Sequence, residues 1–281
     1  LLWFVFMPGQ EDEVTYDVPN GTAEFHFIDV GQADCSLLIC DGQAMLIDAG
    51  NPGCEDIVLP YLQELGITHL SAVVATHPHA DHYGGLPGVL KEVEFDTFYS
   101  PFRLHPSGNF NSLTNYVAYS RGKEVTVPTQ GQYFYLGSAK ITFLGPVHTD
   151  YEDLNDTSLV FRVDYGEVSF MFTGDMERVA ENDLLDSGVN VKADILKVGH
   201  HGSETSSTRE FLDFINCEYA VISCNEDGNT FLHPRQNTLD RFREDNMTLY
   251  RTDLHGTIVL VVNGQGELAF TTAKTTTMRI D

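Results

Sequence analysis

The sequence most constrains the fold at residues 76–85, where Thr-His-Pro-His-Ala-Asp-His-Tyr-Gly-Gly directly follows an apolar stretch at 70–75. The apolar stretch predicts a buried strand. The loop after it carries three of the eleven histidines of the chain and one aspartate within six residues. Imidazole nitrogens and carboxylate oxygens together suit Zn²⁺ or Mn²⁺, so the pattern predicts a metal-binding turn at a strand end. The candidate ligands are His77, His79, Asp81 and His82.

Three segments of the second half could bring further side chains to the same place. One apolar strand pattern ends in Gly-Asp at Asp175, which on its own predicts an ordinary turn. Another ends in Gly-His-His-Gly and presents His200 and His201 at a loop tip. His233 follows a strand of the second half, which makes it a candidate for contact with a substrate or its leaving group.

The rest of the chain alternates short apolar strands with helices and glycine-rich turns. Predicted strands lie at 23–29, 36–40, 44–48, 70–75, 140–144, 158–163, 168–173, 195–198, 220–223 and 257–262. Predicted helices lie at 56–65, 84–92, 111–121, 177–186, 209–214 and 237–244. Two successive sets of strands and helices, with no polar linker between them, indicate two sheets covered by helices. The predicted fold class is α/β, an αββα sandwich formed by one domain at 23–272.

The residues at either end of this domain are predicted to be separate from it. Residues 1–7 are strongly apolar but too short to span a bilayer, and 9–21 are acidic and rich in turn residues. The segment 1–22 is therefore interpreted as the remnant of a signal or membrane anchor with its linker, or as a short strand packing on the domain. The first interpretation, which we favour, predicts an extracellular or membrane-tethered protein; a cytoplasmic location is the alternative. Residues 273–281 are predicted to be a C-terminal tail.

The histidine and aspartate motifs resemble those of the metallo-β-lactamase superfamily. In that family the two histidines of HxH bind one metal, and the following aspartate and histidine bind a second. The resemblance implies that His77 and His79 hold the first metal, and that Asp81 and His82 hold the second. It also implies that Asp175 bridges the two ions.

A narrower resemblance is to the C-terminal metallo-β-lactamase domain of ComEC-type competence proteins. Residues 29–34, Asp-Val-Gly-Gln-Ala-Asp, are similar to the DVGQGD opening of that domain. The later motifs follow in the same order: Asp-Thr-Ser-Leu-Val at 156–160, Thr-Gly-Asp at 173–175, His-His-Gly-Ser at 200–203, His-Pro at 233–234 and Arg-Thr-Asp at 251–253. The resemblance covers about residues 23–270. It concerns the hydrolytic module, so it implies hydrolysis and not DNA transport.

The resemblance assigns roles to four further residues. His200 is expected to be the remaining ligand of the second metal, with His201 beside it facing the substrate. Asn155 occupies the position at which the wider superfamily has a histidine ligand for the first metal. A neutral amide is expected to hold that metal loosely. Asp48 resembles the aspartate beneath the metal loop, where a carboxylate orients the ligand histidines and raises their basicity.

The net charge limits the classes of binding partner that we expect, and the cysteine content bears on the state of the thiols. The chain has 16 Lys and Arg against 41 Asp and Glu, a net charge of −25, which should repel duplex DNA, although bound metals can reverse the sign locally. Its five cysteines form no CxxC pair and are expected to be buried thiols. We expect partners to be small phosphodiesters or single-stranded nucleic acid, without strong duplex binding.

The predicted function is a metal-dependent hydrolase, most simply a phosphodiesterase or nuclease-like enzyme. Two divalent ions, Zn²⁺ or Mn²⁺, would activate a water held by Asp175, with Asp81 essential as a ligand. His201 or His233 would stabilise the developing oxyanion or protonate the leaving oxygen. The alternatives are a phosphorylcholine-esterase-like enzyme, a lactonase or β-lactam hydrolase, and a catalytically inactive metal-binding sensor or interaction domain.

Overall fold

The computed structural model describes residues 21–104, 108–225 and 229–274. The predictions for residues 1–20 and 275–281 lie outside these ranges. The described strands are β1 (Thr22–Phe27), β2 (Ser36–Cys40), β3 (Gln43–Ile47), β4 (His69–Val74), β5 (Glu94–Tyr99), β6 (Val125–Thr126), β7 (Tyr133–Leu136), β8 (Ala139–Gly145), β9 (Val160–Tyr165), β10 (Val168–Phe172), β11 (Ile195–Lys197), β12 (Tyr219–Ile222), β13 (Thr248–Arg251), β14 (Ile258–Asn263) and β15 (Leu268–Thr272). The described helices are α1 (Glu55–Glu64), α2 (Ala80–Tyr83), α3 (Leu86–Glu92), α4 (Gly108–Asn115), α5 (Arg178–Asp186), α6 (Arg209–Ile215), α7 (Gln236–Glu244) and α8 (Thr252–His255).

These strands form two mixed sheets. The first has the strand order β15-β14-β1-β2-β3-β4-β5-β6, and the second has the order β13-β12-β11-β10-β9-β8-β7. Strands β3 to β6 run parallel in the first sheet, and β10 to β13 run parallel in the second. Because the carboxyl ends of parallel strands meet at one edge of a sheet, the loops after β3, β4, β10, β11 and β12 are brought together.

The apolar side chains form three layers around the two sheets. Along β1, Phe25 faces the second sheet and stacks on Phe170 of β10 with ring centroids 3.5 Å apart. Its neighbour His26 faces outward and lies 2.7 Å from the hydroxyl of Tyr61 on α1. One apolar layer thus fills the space between the sheets, and one lies under the helices on each outer face. The predicted αββα sandwich is confirmed.

The sequence-based elements differ from the structure mainly at sheet edges. Five strands are not predicted: β5, β6, β7, β13 and β15. Four of them lie at an edge of a sheet and β5 lies next to one, where pairing with neighbours matters more than local pattern. The predicted helix at 111–121 is α4 followed by a π-helical turn, Tyr116–Ser120. The predicted helix at 84–92 begins only at Leu86, because Gly84 and Gly85 belong to the preceding turn.

All five cysteines are buried free thiols, as predicted. Among the described residues, no helix combines the length and the apolar character that crossing a bilayer requires.

Candidate metal centre

The turn after β4 is held rigidly from below by Asp48, which follows β3. The buried Asp48 carboxylate accepts hydrogen bonds from the Thr76 backbone N–H (2.9 Å) and hydroxyl (2.6 Å), and its Oδ2 lies 2.8 Å from Nδ1 of His82. These contacts fix the tautomer of His82 and leave its Nε2 facing the cluster. The geometry agrees with the orienting role that the sequence predicts for Asp48.

The backbone after this turn packs closely against the loop after β3 before the chain enters α3. An added Cβ at Gly85 would lie 2.2 Å from the carbonyl oxygen of Ala49, a distance that no side chain tolerates. The Gly85 N–H donates to Gly50, and the Ala49 N–H donates to His82. The loop after β3 and the turn after β4 are therefore one packed unit, and this explains the paired glycines of the motif.

Asp175 lies at the centre of the cluster, at the end of the loop after β10. Its Oδ1 is 3.1 Å from Nε2 of His82, and its Oδ2 is 3.8 Å from Nε2 of both His77 and His201. The side chain is buried, and the backbone N–H of Asp175 donates to the Ser158 hydroxyl at 2.9 Å. A carboxylate in this position can contact two cations at once, as the sequence-based bridging role requires.

The two histidines after β11 lie in different surroundings. His201 is buried, with Nδ1 3.0 Å from the carbonyl oxygen of Ser223 and Nε2 3.3 Å from Oδ2 of Asp81. His200 is less buried, and its Nδ1 lies 2.8 Å from Oε1 of Glu177. Both residues have left-handed backbone conformations, with φ of 48° and 52°. This double turn directs the two imidazoles apart.

The structure therefore groups His201, and not His200, with Asp81 and His82. The sequence-based prediction has the other order, with His200 as the ligand and His201 facing the substrate. Nε2 of His200 lies 3.9 Å from Oδ2 of Asp175, so both imidazoles reach the central carboxylate. They differ in their second partner, because Glu177, which no sequence pattern singles out, binds His200 from the side, whereas His201 approaches Asp81.

A buried ion pair that was not predicted lies behind His201. Nζ of Lys197 on β11 is 2.7 Å from Oδ2 of Asp34, and both side chains are buried. Oδ1 of Asp34 lies 3.5 Å from Nδ1 of His201. Asp34, the last residue of the motif at 29–34, is thus the counter-ion of Lys197. A lysine inside the apolar run Ile-Leu-Lys-Val is the sequence signal that could have found this pair, because a buried ammonium requires a counter-ion.

Burial and mutual charge determine the protonation of the cluster. Burial lowers the pKa of His201, but the nearby carboxylates of Asp175, Asp34 and Asp81 outweigh it and raise the pKa to about 10. Burial raises the pKa of Asp175, yet the imidazoles of His82 and His201 hold it well below its usual range. The cluster is thus a set of carboxylates that demands positive charge. Divalent metal ions provide such charge in place of the protons.

A cavity of about 510 Å³ opens above the cluster. Its described lining residues are Gln32, His79, Ala80, Asp81, Asn155, Asp175, Glu177, His200, His201, Ser203, Thr205, Phe231 and His233. His233 lies at the rim, with its ring edge-on to His200 at a centroid distance of 5.1 Å. Burial, together with the charges of His200 and His201, lowers the pKa of His233 to about 4. Every residue predicted from the sequence for the site, apart from the fully buried His77, His82 and Asp48 beneath it, lines this cavity.

Unsatisfied buried atoms show that the residues fit metal ions. Oδ1 of Asn155 is buried without a hydrogen-bond partner among the described residues. Nε2 of His82 and Nε2 of His201 are also buried, and they face carboxylate oxygens of Asp175 and Asp81 at 3.1 and 3.3 Å without hydrogen-bond geometry. Such atoms are costly unless a ligand satisfies them. Three groups bring their ligand atoms within 4.8 Å of one another: His77, His82 and Asp175; Asp81, His82 and His201; and the buried Asp34, Asp48 and His82. Only the first two contain residues that line the cavity. His79, whose Nδ1 is 3.1 Å from Nε2 of His77, extends the first group.

The chain is similar to competence proteins over most of its length. It is 28% identical to ComE operon protein 3 of Bacillus subtilis over 263 residues, which cover 86% of this chain and 33% of that protein. It is 29% identical to the competence protein ComA of Neisseria gonorrhoeae, covering 86% of this chain and 32% of that protein. The chain therefore spans about a third of the length of these relatives.

Solved structures agree with the sandwich fold. Igni18, a metallo hydrolase of Ignicoccus hospitalis, aligns with a TM-score of 0.54 at 16% identity and covers 90% of this chain and all of that chain. YhfI of Bacillus subtilis, a metallo-beta-lactamase fold protein, aligns with a TM-score of 0.54 at 12% identity, covering 89% and 99%. Residues 28–225 match the family profile described as the metallo-beta-lactamase superfamily. The two helix-covered sheets with their His/Asp clusters agree with this match. We conclude that the chain belongs to the metallo-β-lactamase superfamily.

Proposed function

We propose that the protein is a metal-dependent phosphodiesterase that acts on small phosphodiesters or single-stranded nucleic acid. The observation that carries the proposal is Asp175, a buried carboxylate with the imidazole of His82 at Oδ1 and those of His77 and His201 at Oδ2. This arrangement suits two ions that share one carboxylate, which is the arrangement used for in-line displacement at phosphorus. The similarity to proteins named for competence and recombination supports a nucleic-acid substrate.

Each ion would have its own set of ligands in this proposal. His77, His79 and Asp175 would hold the first ion, with the free Oδ1 of Asn155 as a weak additional ligand. The second ion would be held by four residues: Asp81, His82, Asp175 and His201. When bound, divalent ions supply Lewis acidity at the phosphoryl oxygens and lower the pKa of a water.

The other residues of the cavity would orient the substrate. Asp175 is fixed by the backbone N–H of His200, 3.1 Å from its Oδ1, so its position is set before substrate binds. Glu177 orients His200 through Nδ1, and Thr205 donates to the same Glu177 oxygen at 2.7 Å. His200 and His233 then present ring nitrogens to the cavity, where they would contact the oxygens of the attacked group. The roles expected for His201 at the substrate pass to His200.

A substrate panel with metal-reconstituted protein tests the proposal. The panel contains bis-p-nitrophenyl phosphate, single- and double-stranded DNA, a phosphorylcholine ester, a lactone and a cephalosporin, each with Zn²⁺ or Mn²⁺. We expect turnover of bis-p-nitrophenyl phosphate and of single-stranded DNA. Turnover of only the lactone or the cephalosporin would overturn the phosphodiesterase proposal in favour of acyl hydrolysis. Metal binding without any turnover would favour a sensor or interaction domain.

The salt dependence of DNA cleavage adds a second criterion. A basic nuclease loses affinity as salt rises, because releasing the same counterions into a more concentrated solution gains less free energy. This chain has a net charge of −25, so moderate salt should leave single-stranded DNA cleavage unchanged or increase it by screening repulsion over about 8–10 Å. The measurement is the initial rate from low to physiological salt at fixed Mn²⁺. A steep fall in rate would contradict the expected role of the acidic surface.

A further inference from the structure

The cavity above the metal cluster has a lining that bears on how a substrate would bind. None of its described lining residues is Lys or Arg. Most arginines of the described chain pair with carboxylates elsewhere, for example Arg121 with Glu94 and Arg251 with Asp253. A phosphodiester at the metal cluster therefore gains little binding energy from ion pairs with the chain, and specificity must come from uncharged contacts.

Phe231 is the one apolar ring at this cavity among the described lining residues. Its side chain is 65% exposed, although it lies beside a strongly polar site. Its ring lies over that of His233 at a centroid distance of 5.9 Å and an interplanar angle of 30°. His233 thus packs against one side of the phenyl ring, and the exposed remainder is available to a flat ligand group.

A row of rings connects Phe231 with the metal cluster. The imidazole of His233 meets that of His200 edge-on, and Nε2 of His200 lies 3.9 Å from Oδ2 of Asp175. Two ring contacts therefore separate Phe231 from the residue that touches the central carboxylate. In a nucleotide, one sugar separates the phosphate from the base. A phosphate at the cluster would consequently bring its own base or the adjacent one to the rim where Phe231 lies.

We propose that Phe231 is the platform on which a nucleobase of the substrate stacks while its phosphate occupies the metal cluster. This inference rests on the proposed function and narrows its substrate class to nucleotides and single-stranded nucleic acid. Every nucleobase has a π face, so stacking on Phe231 provides affinity without sequence specificity. The contact is also neutral, so the acidic surface of the chain does not weaken it.

The test compares binding of three phosphates that differ only in what the phosphate carries. Thymidine 5′-monophosphate, deoxyribose 5-phosphate and butyl phosphate are titrated by calorimetry into the Zn²⁺-loaded protein. We expect the nucleotide to bind about 5- to 150-fold more tightly than deoxyribose 5-phosphate, the range that stacking of one base provides. Phe231→Ala and Phe231→Leu should abolish that ratio, and Phe231→Trp should keep it.

A matched control distinguishes the platform from general apolar exposure. Phe214 on α6 is 59% exposed and does not line the cavity, so Phe214→Ala should leave the ratio unchanged. The inference is overturned if the parent binds the nucleotide and deoxyribose 5-phosphate equally, if butyl phosphate binds as tightly as the nucleotide, or if none of the three binds. Phosphodiester turnover in the substrate panel decides the proposed function separately, because a base preference that depends on Phe231 would persist without catalysis.

Discussion

The two loops that supply most of the metal cluster are built in opposite ways. The turn after β4 carries His77, His79, Asp81 and His82 within six residues. The loop after β11 carries His200 and His201, but its geometry depends on residues far away in the sequence. Both loops are held by a buried carboxylate that accepts three hydrogen bonds, Asp48 under the first and Glu181 under the second. The two carboxylates differ in their partners, because Asp48 contacts an imidazole and Glu181 accepts only from backbone N–H groups and a hydroxyl.

The difference shows which part of a site local sequence can specify. In the first loop the ligands are neighbours, and the strand before them fixes where they point. In the second loop the partner of each imidazole comes from elsewhere: Glu177 from the loop after β10 for His200, and Ser223 from the end of β12 for His201. An assembled loop of this kind has no local pattern that reveals which histidine points inward.

Removing a ligand of the first loop should have the largest effect. We expect Asp81→Ala to lower turnover on bis-p-nitrophenyl phosphate by about 1000-fold, because lost metal contacts remove several kcal/mol of transition-state stabilisation. The fold should persist, since Asp81 is partly exposed on the turn. The exposed Asp56→Ala on α1 is the control. Equal activity in the two variants would mean that the chemistry does not depend on this loop.

The second loop gives a sharper comparison between adjacent residues. His201→Ala should lower the bound metal by about one ion per chain after dialysis, because this imidazole faces Asp81 and His82. His200→Ala should retain both ions, because its ring is held by Glu177 outside that group. Elemental analysis of the two variants and the parent decides the matter. Loss of an ion from His200→Ala alone would restore the assignment that the sequence favours.

The sequence predicts the fold better than it predicts the second loop. The sandwich follows from apolar strands in two sets, because burial on both faces leaves apolar runs such as Phe-Met-Phe at the end of β10. The edge strand β7 was missed, since its exposed tyrosines contribute no alternating apolar pattern. Lys197 and Glu177 were missed for another reason. Their importance lies in contacts with residues 163 and 23 positions away.

Loss of the support under the first loop should be a smaller effect than loss of a ligand. Asp48→Asn keeps the shape of the side chain but removes the charge opposite Nδ1 of His82. We expect metal affinity to fall by about 10- to 100-fold, the usual effect of removing a carboxylate behind a ligand histidine. Competition with a chelator measures it. The exposed Asp41→Asn at the turn between β2 and β3 is the control, and equal affinities would contradict an orienting role for Asp48.

Glu181, the carboxylate under the second loop, should affect the free energy of unfolding. The buried Glu181 carboxylate accepts hydrogen bonds from the N–H groups of Ser207 and Thr208 and from the Thr208 hydroxyl. Unlike Asp48, it contacts no imidazole, and Arg241 acts on it only at longer range. Burial therefore outweighs the hydrogen bonds and raises the pKa of Glu181 from its usual value near 4.5 to about 7.

This raised pKa predicts that the second loop loses stability as the pH rises from acid to neutral values. The folded protein keeps the Glu181 proton where the unfolded chain has already released it, so this contribution falls as pH rises from about 4.5 and levels off above about 7. Between about pH 6 and 8 the free energy of unfolding should decrease by about 1 kcal/mol on this account. Urea unfolding of the metal-free protein at several pH values measures it. Glu181→Gln should remove that part of the slope, whereas Glu210→Gln on the exposed face of α6 should not. A slope unchanged by Glu181→Gln would mean that the hydrogen bonds keep the carboxylate ionised throughout, and would contradict the contrast between a support that contacts an imidazole and one that does not.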